Sequence, residues 1–447
     1  MINRDFTLVW TGQALSDLAS EMTSLALPLA VLATTRSAVD AGLVATAVGV
    51  AQLAARLPSG LVADLVDRRR LMMVCDAGRA LIALFLAFTL VTGRFTTTVA
   101  VVAAAATAVL SSLFSPAEGG LVRQIVPADR RRELLTRNIV RSNVAIAVGP
   151  PIGGVLLTLG APVAFVLDAF SYLLSLALLS RVTHRGGPSG ASGHSPTVRP
   201  SAVGGLRDLC VELSLGIRWV LSRRALLALI ALVVYINLLG RAVELLAAVD
   251  SSDVGSHPAA AGVVLTAAGC GGIVGGMCVG WVLRRVRPSL ILTWVTAEWL
   301  VVIPLTATGS KLVTLVAVFL LVLGLPLVGS LASLTVMADA PSELQGRVST
   351  SMTLLAISIA WLGPGVTGFL ISAYGAPVAA LLLAAPLLLA LGVLAGSPRL
   401  RALLDSLSHG DDTGPGHTGR EPSPNRNRTD PPDTGEAVAA TERHTIE

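Results

Sequence analysis

Acidic side chains stand inside long apolar runs of this sequence. Asp17 and Glu21 lie in the run from Phe6 to Ala33, Asp168 lies in a later run, and Glu298 lies in one of the last. Burying an ionisable side chain in apolar surroundings is costly, so such a residue is by default a candidate for function. Carboxyl groups in these places could carry protons or bind cations.

The two acids of the first run are four residues apart, so a helix places them on one face. Two carboxylates that face one cavity repel, and we expect their titrations to be coupled. We predict this pair as the proton carrier, with Glu298 across the cleft as the alternative. Arg241 and Glu244, three residues apart, either neutralise each other or act on the substrate. The predicted proton-coupling and substrate-cavity residues are Asp17, Glu21, Asp168, Asn237, Arg241, Glu244 and Glu298.

The composition indicates which elements must hold these residues. Of 447 residues, 53% are hydrophobic and 14% are charged, whereas soluble domains carry about 25% charged residues. The net charge of +5 comes from short Arg clusters between apolar runs, which argues against a nucleic-acid-binding face.

About 20 apolar residues cross a bilayer as a helix, so we predict an all-α integral membrane protein of twelve transmembrane helices. The predicted spans are Phe6–Ala33, Ala41–Val62, Leu71–Thr92, Thr96–Ser115, Asn138–Leu159, Pro162–Ser180, Ala225–Ala247, Ala259–Leu283, Ser289–Thr308, Leu312–Ala338, Val348–Ala373 and Ala376–Ala395.

The spans form two six-helix halves, residues 1–180 and 225–396. Residues 181–224 are predicted as a cytoplasmic linker, and residues 397–447 as a disordered cytoplasmic tail because they lack apolar residues. With both termini in the cytoplasm, the short inner loops hold twelve basic residues and the outer loops three. This charge bias predicts the orientation, in a bacterial cytoplasmic membrane.

An internal repeat relates the two halves. Gly149-Pro150, followed by Gly154, recurs as Gly363-Pro364, followed by Gly368, at an offset of 214 residues. Six helices separate equivalent points, so both copies enter the membrane from the same side. Parallel halves of this kind build a large class of transporters that bind substrate between them near the midplane.

The loop after the second span carries Gly60, Asp64 and the cluster Arg68–Arg70. This pattern resembles the signature loop of the major facilitator superfamily, although Leu65 and Asp67 depart from it. We expect Gly60 to permit close helix approach and Asp64 to face the positive N-terminus of a helix in the other half. The second copy has Gly280 in place of the acid. The predicted gating loop comprises Gly60, Asp64, Arg68, Arg69 and Arg70, with Asp76 and Arg79 as a structural pair beneath it.

The fifth span resembles the helix motif of exporters in this superfamily, the drug–proton antiporters. Its residues are Gly149, Pro150, Gly153 and Gly154, with Ala145 where the family has a further glycine. Small residues let helices pack closely in lipid, and a Gly-Pro pair allows a bend. Other short segments resemble the branch with macrolide efflux proteins and the enterobactin exporter: Asn3–Phe6 with Gly12-Gln13, Phe114–Ala117, and Asp168-Ala169 with Ser171.

The resemblance implies a secondary active transporter that exports an amphipathic small molecule by proton antiport with alternating access. The expected partners are a small-molecule substrate, protons and the lipid bilayer, without nucleic acid, and the expected state is a monomer. The sequence shows no phosphate loop and no hydrolase or zinc-protease motif, so we expect no enzyme, cofactor or metal. Two alternatives stay open: an importer or uniporter of a small nutrient, and a membrane sensor that does not transport.

Overall fold

The computed structural model describes residues 4–126, 131–183, 218, 224–251, 258–339 and 345–406. Helices are the only regular secondary structure in this part of the chain. The helices of residues 1–180 are α1 (Arg4–Thr35), α2 (Ala38–Leu65), α3 (Arg68–Val91), α4 (Thr97–Ile125), α5 (Arg131–Leu159) and α6 (Ala161–Ser180). Those that follow are α7 (Arg224–Ser251), α8 (Pro258–Arg285), α9 (Pro288–Leu305), α10 (Lys311–Leu323), α11 (Leu325–Asp339), α12 (Gln345–Ser358), α13 (Leu362–Tyr374), α14 (Ala376–Gly396) and α15 (Pro398–Ser406).

Ten stretches of the described helices are long and apolar enough to cross a membrane. The other two predicted spans are also helical. One is α5, whose first half carries several charged residues, and the other is divided into α12 and α13 by a turn at residues 359–361. The tenth span is divided as well, into α10 and α11 at Gly324. The predicted all-α fold is therefore confirmed, while two spans expected as continuous helices are broken.

Helix α3 shows the reversed polarity of a membrane protein. Its buried residues include the ion pair Asp76–Arg79, whereas Leu81 and Phe88 are 68% and 58% exposed. Large apolar side chains on the outside and charges on the inside suit a helix surrounded by lipid, where burial of a charge requires a partner inside the protein.

Helix α15 corrects the expectation of disorder from residue 397 onward. Leu404 is buried in the hydrophobic core, and the Asp405 carboxylate accepts hydrogen bonds from the Ser289 backbone N–H at 2.9 Å and from its hydroxyl at 3.0 Å. Asp405 thus caps the first turn of α9, where backbone N–H groups lack helical partners. Residues 407–447 and most of the predicted linker lie outside the described residues.

Helices of the two halves meet along two seams, α2 against α13 and α5 against α8. We name the ends of the bundle by their loops: the Arg36 end, where α1 meets α2, and the Arg68 end, where α2 meets α3. At the Arg36 end a shared apolar cluster joins Leu29 and Leu32 to Leu245 and Val249. The halves are therefore in contact at that end.

Candidate functional site

A cavity of about 1520 Å³ lies between the two halves. It is lined by residues of both, and most of its surface is apolar. Its lining continues toward the Arg68 end as far as Arg56, Glu118 and Met277. Gly276 near that end also lines the cavity, and a Cβ atom added there would meet nothing within 4 Å. The cavity thus opens toward the Arg68 end and is closed at the Arg36 end.

Three helices of the first half bring a buried ion cluster into this cavity. The Arg141 guanidinium of α5 donates from Nε to Asp17 Oδ2 of α1 at 2.9 Å and from Nη2 to Glu118 Oε1 of α4 at 2.9 Å. The Arg141 and Glu118 side chains are 6% and 14% exposed, and that of Asp17 is 29% exposed. We call Asp17, Glu118 and Arg141 the triad.

The structure gives Asp17 a charged partner that the sequence did not suggest. The predicted partner Glu21 lines the same cavity, but the side chain in contact with Asp17 is that of Arg141, which is 124 residues away in the chain. A helical periodicity shows only neighbours on one helix, so it cannot reveal this pair. Glu118 was missed for a related reason, because it follows the predicted end of the fourth span at Ser115, whereas α4 continues to Ile125.

A second buried ion pair lies deeper in the first half. Asp76 pairs with Arg79 on α3, and Asp76 Oδ2 accepts a hydrogen bond from Ser175 Oγ at 2.7 Å. The Arg79 guanidinium lies 4.5 Å from the ring centroids of both Phe114 and Tyr172. These are cation–π contacts of the kind that stabilise a desolvated cation. Asp76 and Arg79 thus pair within the helix bundle, where Arg79 also lines the cavity, and their structural role stays a prediction.

Asp168 is one of the most buried acids of the described chain, with 4% exposure. Its Oδ2 atom accepts a hydrogen bond from the Thr23 hydroxyl of α1 at 3.0 Å. Its Oδ1 atom is buried without a hydrogen-bond partner among the described residues. Asp168 also lines the cavity, as predicted for it.

The second half contributes fewer charges to the cavity. Arg241 Nη1 lies 3.0 Å from Glu244 Oε2, and both side chains are more than half exposed where they line the cavity together with Asn237. The pair expected from sequence thus forms, and Asn237 Nδ2 donates to the Val233 carbonyl. Glu298 corrects another expectation, because it is not among the residues that line the cavity. Its Oε2 atom is buried without a hydrogen-bond partner in the described chain.

Glu298 lies beside the break between α10 and α11. A Cβ atom added at Gly324 would come within 3.3 Å of Glu298 Oε2. The Glu298 carboxyl group therefore lies close to this helix junction.

The gating loop makes several side-chain contacts within the first half. Asp64 Oδ1 accepts a hydrogen bond from Arg68 Nη2 at 3.0 Å, one helical turn away. Arg69 donates from Nε and Nη2 to the carbonyl groups of Leu179 and Ser180, at 2.8 and 2.6 Å. Arginines near a helix C-terminus satisfy carbonyl groups that lack helical partners.

Gly60, Asp67 and Gly280 complete the description of the two loop patterns. The close helix approach predicted at Gly60 is wrong for this conformation, since a Cβ atom added there would meet nothing within 4 Å. Asp67, which departs from the family pattern, accepts a hydrogen bond from the Arg70 backbone N–H at 2.9 Å and caps α3. In the second copy the Gly280 carbonyl accepts a hydrogen bond from Arg284 Nε at 2.7 Å.

Comparison with known proteins decides the family. Residues 9–362 match the family model described as Major Facilitator Superfamily. The chain belongs to this superfamily. It is 30% identical over 400 residues to the multidrug efflux pump Tap of Mycolicibacterium fortuitum, an alignment that covers 86% of this chain and 93% of Tap.

Solved structures of the superfamily share the fold of this chain. One is the nucleoside transporter NupG, with a TM-score of 0.67, 12% identity, and coverage of 87% of this chain and 98% of NupG. Another is a bacterial homologue of the human lysosomal transporter Spinster in an inward-facing conformation, with a TM-score of 0.66, 12% identity, and coverage of 92% and 98%. Identities this low establish the fold alone.

The exporter-like motif of α5 lies against α1. A Cβ atom added at Gly149 would overlap the side chain of Glu21, and one added at Gly153 would lie 2.5 Å from the Met22 carbonyl oxygen. Gly154 is buried too, and Pro150 lies within the continuous helix α5. The glycines therefore allow close packing of α5 on α1, next to a predicted cavity acid.

Proposed function

We propose that this protein exports an amphipathic small molecule, such as a drug, an antibiotic or a siderophore-like metabolite, from a bacterial cell in exchange for protons. The observation that carries the proposal is the 30% identity to a multidrug efflux pump along 93% of that pump's length. A relationship along nearly the whole chain includes the cavity helices and both halves, so it supports a shared mode of action.

The chemistry of the cavity supports the substrate class. Its wall is mostly apolar, with a few charged groups at defined positions. Apolar walls bind the hydrophobic part of a ligand, and sparse polar groups fix its orientation. A molecule with both apolar and polar regions suits such a wall better than a small, fully hydrated nutrient does.

The contacts between the halves support alternating access. Gly42 lies against the Pro364 carbonyl, Gly49 against Trp361, and Gly368 against the Ala38 carbonyl, so closely that a Cβ atom would overlap each neighbour. These contacts close the Arg36 end while the cavity extends to the other end. Rocking residues 1–180 against 225–396 would break these contacts and open the opposite side. By the charge bias of the loops, the conformation described here opens to the cytoplasm.

Transport into everted membrane vesicles tests the proposal. Vesicles from cells that express the protein are energised with lactate, and uptake of ethidium, erythromycin and tetraphenylphosphonium is followed with and without a protonophore. We expect uptake of at least one probe, abolished by the protonophore and absent in vesicles without the protein. Uptake that is insensitive to the protonophore would refute proton coupling. Accumulation of a nutrient in right-side-out vesicles, without uptake in everted ones, would instead indicate an importer.

A further inference from the structure

Helices α3 and α9 are the third spans of their halves, and each follows a loop of the gating pattern. Asp67 caps α3, because its side chain accepts a hydrogen bond from the Arg70 backbone N–H. The residue at the same position of α9 is Arg287, whose side chain makes no capping hydrogen bond. Backbone N–H groups in the first turn of a helix lack helical partners and need an acceptor. The second half therefore receives no such cap from its own loop.

The halves also differ in how the third span is joined to the end of the sixth. In the first half, Arg69 of α3 donates hydrogen bonds to two carbonyl groups at the end of α6. In the second copy of the loop, Arg284 donates instead to a carbonyl group of its own helix α8. The Arg285 guanidinium lies 4.8 Å from the ring centroid of Trp281, also on α8. These contacts lie within α8 and do not join α9 to the end of α14.

Helix α15 makes both of these connections in the second half. We propose that Asp405 of α15 supplies the cap that α9 lacks and that α15 thereby holds the loop between α8 and α9 in position for transport. Asp405 is then a positioning residue that the chain supplies from beyond its last membrane span. This role of α15 is additional to the proposed function and requires neither a particular substrate nor a particular coupling ion.

The contacts of α15 support this role. The Asp405 carboxylate accepts hydrogen bonds from both the backbone N–H and the hydroxyl of Ser289. Ser289 is 3% exposed, so water has little access to this N–H, and a buried donor without an acceptor is unfavourable. Arg401 Nη2 donates to the Ala395 carbonyl in the last turn of α14 at 2.7 Å. Leu404 is buried in the hydrophobic core of the second half. Helix α15 thus joins the start of α9 to the end of α14.

The loop that α15 holds lies at the Arg68 end, where the cavity is open. Helix α8 lines the cavity at Met277 and ends at Arg285, about two helical turns further along. When the halves rock, this end of the second half must approach the first half. A capped first turn keeps the direction in which the chain enters α9, whereas an uncapped helix end frays. Asp405 therefore fixes the loop that has to make this approach.

Hydrogen exchange of the purified protein in detergent tests the cap without any substrate. Asp405→Ala should speed the exchange of the first-turn amides of α9 by about 2- to 30-fold, the factor that corresponds to the usual loss of an N-cap residue. Arg399→Ala is the matched control, because Arg399 is an exposed residue of the same helix. It should leave the exchange at α9 unchanged.

A compensating change distinguishes the cap from a general structural role. The backbone at Arg287 is extended, with φ −65° and ψ 141°, as an N-cap residue requires. Arg287→Asp therefore gives α9 a cap of its own, as Asp67 does for α3, and should restore slow exchange in the Asp405→Ala background. Arg287→Ala in that background removes the same arginine without adding an acceptor and should not restore it.

Spin labels report the position of the loop. In a variant without the native cysteines, labels at the exposed residues Leu65 and Leu290 measure the distance between the first half and the start of α9. Asp405→Ala should broaden this distance distribution, and adding Arg287→Asp should narrow it again. In everted vesicles, Asp405→Ala should lower the maximal rate of ethidium uptake several-fold with KM unchanged, because Asp405 does not line the cavity. Arg287→Asp should restore this rate as well.

Each arm can overturn the role of α15. Unchanged exchange at α9 in Asp405→Ala would reject the cap, and faster exchange with unchanged distances and uptake would reject the positioning role. Failure of both Arg287→Asp and Arg287→Asn to restore exchange would also reject the cap. Asp405→Asn, which keeps one acceptor oxygen and should have a smaller effect, replaces Asp405→Ala if that variant does not fold. A wild type without ethidium uptake would count against the proposed function, and the exchange and distance measurements would still decide the role of α15.

Discussion

Replacing Gly49 by alanine should shift the protein away from the conformation described here. Gly49 of α2 lies against Trp361, and a Cβ atom at this position would overlap both the Cβ atom and the ring of that tryptophan. The contact joins the two halves near the middle of α2, on the side of the cavity toward the Arg36 end. If the halves rock about the cavity, the contact exists only while this end is closed, and the added methyl group destabilises that state alone.

The expected change in the ratio of the two conformations follows from the free-energy cost of overpacking. Forcing an extra methyl group into a close contact typically costs about 1–3 kcal/mol. A differential cost of that size changes the ratio of two states by about 5- to 150-fold. Gly392→Ala is a matched control, because it adds the same methyl group to α14 where nothing lies within 4 Å. Any gain in helix propensity is common to both variants.

Spin-label distances measure the shift. In a variant without the native cysteines, labels at Thr34 and Tyr374 report the Arg36 end, and labels at Leu65 and Trp281 report the Arg68 end. We expect Gly49→Ala to populate longer distances for the first pair and shorter distances for the second. Distance distributions identical to those of Gly392→Ala would refute the argument, since they would mean that Trp361 yields locally or that the contact persists in both states.

Three further predictions concern the first half and the topology. Asp76→Asn should lower the thermal unfolding temperature in detergent markedly, since loss of one partner of a buried ion pair costs about 3–5 kcal/mol and leaves Arg79 buried without its carboxylate; an unchanged transition would contradict the buried pair. Asp64→Asn should slow vesicle transport and lower the unfolding temperature less than Asp76→Asn does, since the Asp64 side chain is 63% exposed although its partner Arg68 is buried, and Gly280→Ala should have less effect on transport; equal losses at both sites would show that the acid is not the important feature. Fluorescent-protein fusions at Pro188 and at the last residue should both fluoresce, as a cytoplasmic location requires, and a dark fusion at either site would reject the orientation.

Hydropathy and internal repetition predicted most of the fold. The apolar runs gave the spans because a bilayer imposes a minimum length on each helix. Equivalent packing in the two halves accompanies the sequence repeat. In the first half Gly149 lies against Glu21 of α1, and in the second Gly363 lies against the Leu238 carbonyl of α7. In both halves the Gly-Pro helix packs against the first helix of its own half, as an internal duplication requires.

The breaks in the helices and the contacts of the site could not be predicted in the same way. Hydropathy runs unchanged through Gly324 and through residues 359–361, where the structure divides the tenth and eleventh spans. Residue spacing identified Asp17 as a buried acid, but its partner Arg141 comes from a helix 124 residues away. Local patterns describe the face of one helix, whereas an ion cluster depends on how three helices are arranged around a shared interior.

The two halves differ in chemistry more than in architecture. Six charged residues are buried within the described helices of the first half: Asp5, Arg68, Asp76, Arg79, Arg141 and Asp168. In the second half the buried polar residues of the described chain are serines and threonines, and its hydrophobic core is one large cluster. The apolar core of the first half is divided into separate clusters.

A buried charge needs a partner in a low-dielectric interior, either on its own helix, as for Asp76 and Arg79, or on neighbouring helices, as in the triad. Loss of one partner leaves the other uncompensated, so a duplicated half loses such charges as a set. In this way the two halves share their glycine-mediated packing while the buried ion pairs lie on one side of the cavity. The second half still lines the cavity with Arg241 and Glu244, so the two halves differ in their buried charges rather than in having charges at all.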